Sequence, residues 1–175
     1  MFDPQTLIDL TVSFVKEHQH LAPAVVFGLA FGESLALISF FIPATVLLLA
    51  IGALIEASGL HFFPIWLAAA AGASLGDAVS YWFGFHYKER AKTFWPLSRR
   101  PDLVVRAEDF FHRFGVWGVA VGRFFGPVRA VVPLVAGVLA MRQSHFQIAN
   151  VASAGLWAFA MLAPGALALK WMGLA

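Results

Sequence analysis

The sequence predicts an all-α polytopic membrane protein, and three observations carry that reading. The 175 residues are 60% hydrophobic and only 13% charged, where a soluble domain usually carries about 25% charged residues. The mean hydropathy is +0.77. Uncharged runs at 34–55, 57–76 and 143–169 each reach the roughly 20 residues that a helix needs to cross a bilayer. Six Trp and eighteen Phe suit a protein with interfacial belts and lipid-facing surface.

In chain order, residues 1–20 come first. Positions 4–18 set Leu7, Ile8, Leu10, Val12, Phe14 and Val15 among Asp3, Asp9, Lys16 and Glu17. That pattern fits an amphipathic surface helix or a terminal helix packed on a bundle. No cleavable signal peptide is expected, because residues 1–9 hold two acids and no base. Residues 21–85 form a first repeat. Its apolar stretch from Leu21 to Phe41 carries one charge, Glu33, and meets Pro43. Proline removes a backbone bond and disfavours helix at the residue before it. Either a kinked span runs through, or two half-helices meet as a re-entrant hairpin, which lipid allows only where protein or a wet cavity covers the tip. Ser58-Gly59 closes this unit. A clear span follows at 62–85, with Gly72-x3-Gly76 spaced for close helix approach and Asp77 directly after it.

Residues 86–113 are a basic loop with an amphipathic helix at 102–114. Seven of the twelve cations lie here, opposed by Glu89, Asp102, Glu108 and Asp109, which leaves a net +3. The positive-inside rule places this loop in the cytoplasm; its lipid setting argues against nucleic acid. The second repeat, 114–165, rhymes with the first. An apolar helix breaks at Gly126-Pro127, a short apolar helix continues through Arg129 to Met141, Ser144 caps the next helix, and Phe146 to Ala163 spans the membrane up to Pro164. Residues 166–175 are a tail. If both breaks are hairpins, one span separates them and they enter from opposite faces. That is the inverted repeat in which transporters place their site between broken helices, and it puts both termini on the outer face.

Arg123 and Arg129 straddle the second break in apolar surroundings. An Arg at the bilayer centre costs roughly 2.5–3.5 kcal/mol or more, so both must face protein, water or an anion. Guanidinium matches phosphate with a two-pronged fork and stays charged. A helix starting at Pro127, a natural first-turn proline, would add free N–H groups beside Arg129. The other reading is an internal ion pair with Glu33 or Asp77 that fixes the fold. Glu33 and Asp77 are the candidate gating or proton-coupling acids, since burial and a nearby Arg push a carboxylate in opposite directions. Asp77 is equally readable as a cap near the interface. Asn150 is read as a bond to a neighbouring helix, and His86 and His112 as interfacial.

Several pieces together resemble the DedA family, also called the SNARE-associated or VTT-domain family. They are Phe31-Gly32-Glu33, Phe41-Ile42-Pro43 with Leu47-Leu48-Leu49, Gly72-x3-Gly76-Asp77 with Tyr81-x2-Gly84, Arg123-Phe124-x2-Pro127-x-Arg129-x6-Ala136-Gly137, and Phe146-x3-Asn150 with Gly155-x-Trp157. The resemblance implies a bacterial inner-membrane lipid transporter with paired re-entrant helices. Its substrate would be undecaprenyl phosphate or a glycerophospholipid, with Glu33, Arg123 and Arg129 as functional residues and protons as a coupling partner. One departure stands out. Family members often carry Pro-Gly-Glu or Pro-Gly-Asp at the first break, where this chain has Pro43-Ala44-Thr45. Thr45 thus replaces an expected acid, and Asp77 is the candidate substitute.

The expected tips of the hairpins are Pro43, Thr45, Gly126 and Pro127. No enzyme is expected: the chain has no Cys and none of the hydrolase, metalloprotease or phosphate-loop motifs, so neither metal nor cofactor is predicted. Other readings are a small-ion or proton antiporter and a non-transporting scaffold that uses its basic loop on anionic lipid. A homo-oligomer is compatible with the sequence.

Overall fold

The computed structural model describes residues 10, 13–15, 17–35, 44–57, 60–88, 90, 101–125, 129 and 131–171. Its regular structure is helical, with no strand among the described residues. A 3-10 turn, Gln19–Leu21, leads into α1 (Ala22–Ser34). There follow α2 (Ala44–Ala57), α3 (Phe62–Tyr87), α4 (Pro101–Phe114), α5 (Trp117–Gly122), α6 (Val132–Val138) and α7 (Gln143–Trp171).

Among the described residues, two helices are long and apolar enough to cross a membrane, α3 and the 143–164 part of α7. The 26 residues of α3 extend about 39 Å at 1.5 Å per residue, beyond the roughly 30 Å hydrocarbon core. Both helices show helical rather than alternating periodicity. Phe63, Leu67, Leu75, Val79 and Trp82 point outward from α3, while Ile65, Ala69, Ala73, Asp77 and Tyr81 point inward. On α7 the outward set is Ile148, Val151, Leu156 and Phe159, and the inward set includes Phe146, Asn150, Ala154, Trp157 and Ala158. Such broad exposed apolar faces mark a surface made for contact, here with acyl chains.

Backbone-to-backbone approach at glycines holds the helices together. A Cβ added at Gly72 or Gly76 would strike the carbonyls of Phe27 and Phe31 on α1, so the predicted small-residue motif works as expected. The same device recurs across the halves. Gly52 of α2 abuts the backbone of Leu162 on α7, and Gly137 of α6 abuts the carbonyl of Tyr81 on α3. The second arm of each broken segment therefore packs on the long helix of the other half. Two apolar clusters result. One joins Tyr81, Val132, Val135, Phe146 and Phe111 of α4; the other joins α1, α2, the start of α3 and the distal part of α7. Val15 is buried in the second cluster, which favours terminal packing on the bundle over a detached surface helix at that position.

Several boundaries differ from the sequence reading. α1 stops at Ser34, and Leu35 is extended at φ −76° and ψ 119°, so the helix does not run to Phe41. Pro43 lies outside the described residues, as do Ser58-Gly59, Gly126 and Pro127. The helix assigned to Pro127 begins instead at Val132, with Pro133 in its first turn, where a missing N–H removes no bond. Arg129 consequently sits in a turn. Pro164 does not end α7, which contains it and continues to Trp171; membrane helices tolerate proline where neighbours re-satisfy the freed backbone groups. Ser144 lies inside α7 rather than at its cap.

α6 closes with Ala140 at φ +52°. The Met141 N–H bonds to the Ala136 carbonyl at 3.0 Å, and that of Ala140 to the Gly137 carbonyl at 2.9 Å. This is a Schellman ending with Ala where Gly is usual.

Candidate functional site

The predicted charged residues converge in the interior. Glu33 occupies the last turn of α1, brought against α3 by the close approach at Gly72 and Gly76. The Ser80 hydroxyl fastens the same end by donating to the Ser34 carbonyl at 3.3 Å. Asp77 is buried within α3, far from the helix end where a cap would lie. Arg123 follows α5 directly, and Arg129 precedes α6.

Each arginine meets one acid from the first half. Arg123 pairs with Asp77 through its Nη2. The same nitrogen donates to Asn150 Oδ1 at 2.6 Å, and Nε donates to Ser153 Oγ at 3.1 Å. Asn150 in turn donates from Nδ2 to the Ser74 carbonyl at 2.9 Å, so it binds both the cation and a neighbouring helix. Only 4% of the Arg123 side chain is exposed. Burying such a charge requires a partner and satisfied hydrogen bonds, and α3 and α7 supply both.

The second pair is more open. Arg129 Nη2 lies 2.7 Å from Glu33 Oε1, with 17% of the arginine side chain exposed, and it also donates to the Glu33 carbonyl at 3.4 Å. Its guanidinium carbon stands 5.0 Å from the centroid of the Trp157 ring, within cation–π range. Asp77 is also within electrostatic range of Arg129. The four charges thus act as one group joining α1, α3, α7 and the α5–α6 connection.

Of the other predicted positions, Thr45 lies in the first turn of α2, with its side chain outside the described residues. Pro43, Gly126 and Pro127 also lie outside them. His86 and His112 are exposed, and the His86 ring packs on Trp82 at 4.3 Å. No cluster of three or more metal-ligating His, Asp or Glu occurs among the described residues. The sequence reading missed Ser153 and the placement of Trp157 under Arg129. The signal was present, because Asn150, Ser153 and Trp157 recur at helical spacing on one face of α7.

A family model for the VTT domain matches residues 42–167. The chain belongs to the VTT-domain (DedA) family. The matched span of this family contains Asp77, Arg123 and Arg129 and begins after Glu33. Among VTT-domain relatives, the inner membrane protein YabI of Escherichia coli K12 is 37% identical over 139 residues, covering 79% of this chain and 55% of YabI. The inner membrane protein YghB of Salmonella typhimurium is 34% identical over 137 residues (76% and 61%). YqjA of Escherichia coli K12, also named an inner membrane protein, is 33% identical over 138 residues (76% and 61%). The chain therefore spans roughly three-fifths of the length of these relatives. Like them, it is an inner membrane protein, and its membrane-length apolar helices make it multi-pass. No solved structure matches the chain.

Proposed function

We propose that this VTT-domain protein moves a phosphate-headgroup lipid across the inner membrane, with Arg123 and Arg129 receiving the phosphate. One observation carries the reading: two interior arginines are each held by an acid on a different element, at 2.7 Å for Arg129 and Glu33. A phosphate can replace a carboxylate on guanidinium in the same forked geometry. In this scheme Arg129, the more open of the two, is the first contact. Glu33 and Asp77 then compete with the lipid for the arginines and take up protons when displaced. Undecaprenyl phosphate or a glycerophospholipid is the substrate that fits the scheme. The single membrane domain at 1–175 does no covalent chemistry here.

The same scheme includes an inverted repeat of two re-entrant hairpins with tips near Pro43 and Pro127. Element lengths support it. α1 and α2, at 13 and 14 residues, extend about 20 Å each at 1.5 Å per residue, short of the roughly 30 Å core. The crossed packing of α2 on α7 and α6 on α3 is what a two-fold relation between the halves would produce.

The test is lipid flipping in reconstituted vesicles. Arg129→Ala should reduce flipping at least tenfold while the protein still folds; unchanged flipping would remove Arg129 from the site. The buried acids also suit a proton or small-ion antiporter. That alternative prevails if lipid phosphate fails to stabilise the purified protein while an imposed ion gradient drives exchange.

A further inference from the structure

Beside the C-terminal part of α3, the α6–α7 turn borders a cleft of about 680 Å³. Small-ligand sites typically measure about 300–1,000 Å³. One wall is apolar and outward-facing, built from Val79, Trp82 and Phe85, each roughly half exposed. The facing rim carries Arg142, Gln143 and Gln147. Neither Asp nor Glu is among the described residues that line it.

The rim is held rigidly. Tyr81 donates its hydroxyl to the Met141 carbonyl at 2.5 Å, and its ring stacks on Phe146 at 4.3 Å. On the other side the left-handed Ala140 fixes the turn. Non-glycine residues hold that conformation only where the surroundings enforce it. Arg142 is thus presented by a braced turn, exposed, in the same cleft as Trp82, a residue type that favours the membrane interface.

We infer that this cleft holds one anionic phospholipid from the adjoining leaflet. Its phosphate lies on Arg142 and the Gln143 and Gln147 amides, and an acyl chain runs along Val79, Trp82 and Phe85. Complementarity chooses the occupant. A cation with amide donors, and no opposing acid in the lining, matches a headgroup of net negative charge. The apolar wall matches a chain, which free phosphate lacks. Neither interior arginine lines the cleft, although Gln147 Oε1 accepts from Asn150 Nδ2 at 3.5 Å, and lipid binding there does not depend on transport. A lipid seated there ties α3 to the start of α7.

The test uses the whole protein in nanodiscs whose lipid is brominated on the acyl chain, with Trp82 fluorescence as the readout. Trp82 quenching is taken as the difference between the protein and its Trp82→Phe variant. Brominated phosphatidylglycerol should quench Trp82 more than brominated phosphatidylcholine. Arg142→Gln should lower that preference about fivefold, the effect of one interfacial cation, and Arg142→Lys should retain most of it. Arg129→Ala should leave it intact. Equal quenching by the two lipids, or a preference that survives Arg142→Gln, overturns the inference. So does loss of the preference on adding inorganic phosphate alone at equal ionic strength, because the ligand would then be the soluble anion. Arg142 is exposed, so its variants test binding without disturbing the core.

Discussion

Arg123 is held so completely that deleting it exposes the logic of its surroundings. Removing one partner of a buried ion pair strands the other charge, a loss of about 3–5 kcal/mol. Arg123→Ala should therefore destabilise the protein by that order, because Asp77 stays buried. Adding Asp77→Ala should recover much of the loss, measured by denaturation in detergent. A double variant no more stable than the single one would show that the stranded Asp77 charge is not the source of the loss. Both arginines were legible in the sequence, since charge in an apolar stretch has to be explained. Glu33 and Asp77 were legible too, as the acids an internal ion pair would use, but which acid meets which arginine was not: 46 residues separate Arg123 from Asp77, and 96 separate Arg129 from Glu33. Nothing local distinguishes an arginine awaiting phosphate from one already paired, and only the tertiary fold supplies the acid. Ser153 was hidden for a related reason, as a small hydroxyl in a membrane helix is as readily a packing residue.

At the scale of elements, glycines govern approach and caps govern length. Gly76 lets α1 lie against α3, and a Cβ there would collide with the Phe31 carbonyl and with Ser34. Overpacking of this kind typically costs about 1–3 kcal/mol. Gly76→Ala should reach that range and weaken the Glu33–Arg129 contact too, because Glu33 sits two residues beyond Phe31. An unchanged melting temperature would mean that the helices are free to separate. Ala140 makes the opposite case. A left-handed non-glycine residue costs roughly 1–2 kcal/mol, so Ala140→Gly should stabilise the protein by about 1 kcal/mol, seen as a higher melting temperature. Sequence periodicity located α3, α4 and α7 because their patterns extend over several turns. It misplaced the ends at Pro127 and Pro164. A proline opens a helix as readily as it breaks one, and Pro133 rather than Pro127 took the opening position.

For the whole molecule, the open question of the sequence was whether the broken segments cross the bilayer or turn back within it. Four exposed positions separate the alternatives: Gln19, His61, Val116 and Ser144. The chain has no cysteine, so single-Cys variants at these sites need no background removal. If the segments turn back, an impermeant thiol reagent should label Gln19→Cys and His61→Cys from one face, and Val116→Cys and Ser144→Cys from the other. Kinked crossings would instead pair Gln19 with Val116 and His61 with Ser144. Both halves contribute to the interior charge cluster, one with acids and the other with arginines. That division has an electrical corollary. Two carboxylates and two guanidiniums sum to zero, so on the proposed reading a phosphate monoanion entering alone would leave the interior with one negative charge. A single proton taken up by Glu33 or Asp77 cancels it. Lipid and proton moving together would then be electroneutral, with a rate set by the pH difference and indifferent to membrane voltage.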